Sequence, residues 1–64
     1  MHEALYNLAC LASLQRNTVE ALDWLRKAIL ADYSISQSRV TKETDFDPIR
    51  DEKEFREFVA TLPR

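Results

Sequence analysis

Glycine is absent from the chain, and proline occurs only as Pro48 and Pro63. A chain without glycine has no tight cradle for phosphate, and one with so few helix breakers is free to be helical over most of its length, with Asn, Ser and Asp serving its turns. Cysteine occurs once, as Cys10, which excludes an intrachain disulfide, and histidine once, as His2. No zinc set of the usual cysteine and histidine spacing can therefore be assembled, and neither a metal nor a cofactor is predicted. An apolar run long enough to span a membrane or to direct export is also missing, which together with the lone free cysteine predicts a reducing, cytoplasmic setting. The formal net charge is only −2. Lysines and arginines alternate with acids instead of gathering into a stripe, so no nucleic-acid footprint is visible.

What is present is apolar residues at helical spacing. Sixty-four residues make one small domain (1–64), and a chain of this size buries only about 60% of the surface that it exposes when unfolded. Such thin cores are normally stapled by disulfides, a metal or association, and here association is the staple left by the composition. Leu5, Leu8, Ala9 and Ala12 predict a first helix over residues 3–14. In Asn17-Thr18-Val19-Glu20 the Asn side chain is placed to accept from the amide three residues on, and Glu20 sets a carboxylate at the positive end of a second helix reaching Ala31. Its buried stripe reads Ala21, Leu22, Leu25, Ala28 and Ile29, with Trp24 at the margin and Asp23, Arg26 and Lys27 in water. Ser34-x-x-Gln37 predicts a cap for a short third helix carrying Ile35 and Val40. Asp47-Pro48 predicts a cap with proline at the first helical position, and residues 51–54 a cap for a last helix with Phe55, Phe58, Val59 and Leu62 on its apolar face.

Leu5, Leu8, Ala9, Ala12, Ala21, Leu25 and Tyr33 fall at the spacings of the tetratricopeptide signature, and the chain resembles a member of that repeat family. The run from Asp45 through Phe46, Asp47, Pro48, Ile49, Arg50 and Asp51 to Phe55 is similar to the segment that often closes such arrays at their C-terminal end. The resemblance implies an all-α fold with one repeat hairpin (3–32) followed by an irregular pair of capping helices (33–62). It departs from the signature where Ala9 replaces glycine, Ala12 an aromatic and Tyr33 a proline. Without that proline the second and third helices are expected to be nearly continuous, which would favour exchange of the C-terminal pair between copies.

In that family the first helix of a repeat lines a groove for extended peptides, which implies a groove surface of Glu3, Tyr6, Asn7, Cys10, Ser13 and Leu14, with Tyr6 and Asn7 foremost. The family's carboxylate clamp needs cations from the next repeat, and at about 34 residues further Glu3 and Asn7 are answered by Gln37 and Thr41. The clamp is thus incomplete, with Arg39 and Lys42 off its rows. No nucleophile or acid–base pair is apparent. Cys10 reads as a small buried thiol, the acids from Asp45 to Glu54 as helix caps, Arg50 and Arg56 as surface ion pairs, and Phe46, Ile49, Phe55 and Phe58 as core. The expectation is a non-catalytic protein or peptide interaction module. Its edge of Leu5, Leu8 and Leu11 would be covered by a preceding repeat or, in isolation, by a second copy in a homodimer; a structural cap on a longer array is the alternative.

Overall fold

The computed structural model describes residues 2–32 and 35–63. Among these, four α-helices and one 3₁₀ helix follow in the order α1 (His2–Leu14), α2 (Thr18–Ala31), α3 (Gln37–Lys42), the 3₁₀ helix (Thr44–Ile49) and α4 (Lys53–Ala60). The all-α class is as the sequence predicts. Among the described residues no helix is long and apolar enough to cross a membrane.

α1 and α2 form a hairpin whose short turn is closed by main-chain bonds. Asn17 N–H donates to the Ala12 carbonyl at 2.9 Å and Arg16 N–H to that of Ser13 at 2.8 Å. This is the Schellman arrangement, which ordinarily puts glycine in the left-handed region at the residue now held by Arg16, at φ 60°. With no glycine to use, the chain accepts a side chain there at a cost of roughly 1–2 kcal/mol. Asn17 then opens α2, its Oδ1 accepting from Glu20 N–H at 3.3 Å while its Nδ2 donates to a Glu20 carboxylate oxygen at 2.7 Å. Ala9, Ala12, Ala21 and Ala28 are buried where the two helices meet, and Leu22 and Leu25 fill the rest of the seam. Ile29 and Trp24 are half-buried at its margin.

Continuity of α2 with α3 is not found. Asp32 ends α2 in an extended conformation, and Ser36, also extended, starts α3 anew, its Oγ accepting from Arg39 N–H at 3.4 Å. The physical reason is Ile35, fully buried just ahead of α3, which needs the chain to leave the helical path to reach the core. Tyr33 itself and the expected Ser34 cap lie outside the described residues.

Pro48 lies inside the 3₁₀ helix and not at the first position of a helix capped by Asp47. In a 3₁₀ helix side chains three apart eclipse one another, so Phe46 and Ile49 point the same way and both are buried. Phe46 is the hub of the core, edge-on to Tyr6 with ring centroids 5.8 Å apart and tilted against Phe55 at 5.6 Å. α4 lacks the expected side-chain cap. Glu52 instead accepts from the Thr18 hydroxyl at 3.4 Å, joining the start of α2 to the start of α4. Leu62 is buried beyond the end of α4, where Gln37 holds the tail: its N–H donates to the Pro63 carbonyl at 2.7 Å and its side-chain amide to that of Leu62 at 2.9 Å.

Candidate functional site

The 3₁₀ helix and the residue before it lie across the face of α1 that the family resemblance assigns to a peptide groove. Tyr6, Cys10 and Ser13 recur at intervals of four and three residues and so share one side of α1; all three are buried. The Tyr6 hydroxyl donates to the Glu43 carboxylate at 3.4 Å, and the Ser13 hydroxyl to the Asp45 carbonyl at 2.7 Å. This corrects the reading of Tyr6, Cys10 and Ser13 as groove surface, because all three are buried beneath the chain's own segment. Of the expected groove residues Glu3, Asn7 and Leu14 stay exposed.

Covering this face gathers groups that are far apart in the sequence. The Cys10 sulfur and a carboxylate oxygen from each of Glu43 and Asp45 all lie within 4.8 Å of one another. Burial, then the charges of Glu43 and Asp45, push the Cys10 thiol up to about 12. Burial and the Glu43 charge likewise push the Tyr6 hydroxyl up to about 12, against a smaller opposing effect of Arg39, whose guanidinium stacks 4.7 Å from the Tyr6 ring centroid. Cys10 is therefore buried, as the sequence predicts, and is a protonated thiol near neutral pH. Among the described residues neither Glu43 nor Asp45 is ion-paired; the acids that are paired are Asp23, Asp32, Asp47 and Asp51. Sequence pattern suggests Asp45 only as a cap near Asp47 and gives Glu43 no role. Only the fold brings both to Cys10.

Arg50 and Arg56 are ion-paired, with Asp47 at 2.8 Å and Asp51 at 3.8 Å. Arg50 does more, donating to the Thr41 carbonyl at 2.7 Å and the Glu43 carbonyl at 2.9 Å. An open cleft of about 380 Å³ between α3 and α4 has Phe55 and Val59 among its lining residues, with both arginines at its side. Gln37, Thr41 and Asp51 also line the cleft, while the Arg50 donors are committed to the chain itself.

The other side of α1 is uncovered. Leu8, Leu11 and Leu14 are 38%, 51% and 55% exposed, while Leu5 is half-buried and packs against the core. The predicted edge of Leu5, Leu8 and Leu11 is thus exposed at Leu8 and Leu11 and extended by Leu14.

Comparison with family models, with curated proteins and with solved structures finds no match to this chain.

Proposed function

We propose that the chain is a non-catalytic protein interaction and assembly module of the tetratricopeptide type, docking through the leucine edge of α1. The observation that carries this reading is the row of Leu8, Leu11 and Leu14, three leucines at helical spacing exposed together on one side of α1. An exposed apolar patch on a small domain marks an interface. The groove face supports no peptide site, being filled by residues 43–46, so the partner is a helical surface laid against α1 and not an extended peptide. In isolation a second copy serves, the leucines of the two α1 helices packing about a two-fold axis. A cap within a longer array is the second reading, favoured by the closing segment packed on the hairpin; the preceding helical pair would then take the same leucines.

Sedimentation over a range of concentrations tests the self-association. A mass rising from one copy to two, returned to one copy by Leu11→Glu with helical circular dichroism unchanged, is the expected result. A folded chain that stays monomeric at all concentrations overturns the homodimer and leaves the array cap.

A further inference from the structure

We propose that Cys10, Glu43 and Asp45 form a binding site for a single zinc ion that staples α1 to the 3₁₀ helix. Independently of any docking partner, the inference rests on three ligand-bearing side chains already converging. Their sulfur and oxygen atoms lie within 4.8 Å of one another. Tetrahedral ligands of zinc sit roughly 3.5 Å apart, so the group closes on an ion by small torsional adjustments. The donor set selects the metal. Calcium and magnesium take oxygen ligands and several of them, whereas one sulfur with two carboxylates suits a borderline ion such as zinc. Half-exposed Glu43 and Asp45 leave the outer side open for a water as the fourth ligand.

One further observation points to a cation. Glu43 and Asp45 stand side by side with no lysine or arginine ion-paired to either among the described residues. The thiol they face is buried and hydrogen-bonded to Asp45, so it already belongs to the group. Binding breaks the Cys10 S–H bond, releases its proton to solvent and forms a metal–sulfur bond. The result is one net negative charge where the metal-free group carries two, with the Arg39 guanidinium stacked on Tyr6 nearby to offset it.

The backbone around the ligands is held in place. Ser13 fixes the Asp45 carbonyl, Arg50 fixes the Glu43 carbonyl, and the Tyr6 hydroxyl reaches the Glu43 carboxylate at 3.4 Å. Tyr6 is a positioning residue here, orienting a ligand as outer-sphere donors do. A metal in this position supplies the staple that a small chain with one cysteine otherwise lacks, since affinity for the folded state adds directly to its stability.

The test adds cobalt(II), then zinc, to the full chain kept reduced. The expected result is a sulfur-to-cobalt charge-transfer band with the visible bands of a four-coordinate ion, displaced by zinc, and a melting temperature that rises with zinc concentration. Cys10→Ser abolishes the band. Glu43→Gln and Asp45→Asn each weaken zinc binding more than Tyr6→Phe, which keeps the ring and costs about tenfold. His2→Ala leaves binding intact. The spectrum is read first on the unsubstituted chain, so the outcome does not depend on any variant folding. A folded chain that shows no sulfur-to-cobalt band, or zinc binding that survives Cys10→Ser, overturns the site, as does binding lost in His2→Ala.

Discussion

The Ser13 hydroxyl donates a 2.7 Å hydrogen bond to the main-chain carbonyl of Asp45, 32 residues away, and Ser13 is fully buried. A polar side chain thus marks the place where the 3₁₀ segment docks on α1. Ser13→Ala removes the donor and leaves the carbonyl without it, for an expected loss of about 1–3 kcal/mol. Denaturant unfolding measures it, and a loss near zero would show that water replaces the hydroxyl.

Phe46 is fully buried and in ring contact with both Tyr6 and Phe55. Phe46→Ala should cost about 3–5 kcal/mol, a large part of what a domain of this size has. The expected observation is lost cooperativity in thermal melting followed by circular dichroism. Retention of a full cooperative transition would show that the ring lies on a surface and not in the core.

Ala9 and Ala21 are fully buried between α1 and α2. Leucine at either position forces extra methylenes into a closed seam, at a cost of typically about 1–3 kcal/mol. Unchanged stability in urea would mean that the hairpin is looser than its burial indicates.

Arg16, at φ 60°, offers the opposite sign of change. Arg16→Gly relieves the left-handed side chain and keeps both closing hydrogen bonds, for an expected gain of up to about 1 kcal/mol, part of the relief being offset by the greater freedom of glycine when unfolded. Arg16→Val should move the unfolding midpoint the other way.

In alkaline solution the fold should weaken. Burial raises the Cys10 thiol from 9.0 and the Tyr6 hydroxyl from 10.0, each to about 12. Between those limits the unfolded chain has given up protons that the folded chain still holds, so stability falls as pH rises through the window and is fully present below pH 9. Melting temperatures taken across this range in metal-free buffer check it. Cys10→Ser and Tyr6→Phe should each flatten the decline.

Local chemistry was legible in the sequence and long-range coverage was not. The Asn17 cap with Glu20, and the stripe from Ala21 to Ala28, depend on residues within one or two turns of each other, where spacing alone carries the information. Phe46, Ile49 and Phe55 could be read as core because so small a chain leaves few large apolar groups to choose from. The burial of Tyr6 and Ser13 had no such signal. Their hydroxyls read as surface until Glu43 and Asp45 arrive from another segment to receive them. The same limit hid the break between α2 and α3, since only the core's demand for Ile35 explains why the helix stops. In the 3₁₀ helix the shift from a 3.6- to a 3.0-residue period moved Pro48 from a start position to an interior one.

Gln37 grips the Pro63 carbonyl through its own N–H and the Leu62 carbonyl through its side chain, with a longer bond to that of Ala60. Under tension applied at the tail, these bonds load before α4 does. They lie side by side on one residue, so they share the force, and α4 cannot be peeled from the bundle until the set gives way.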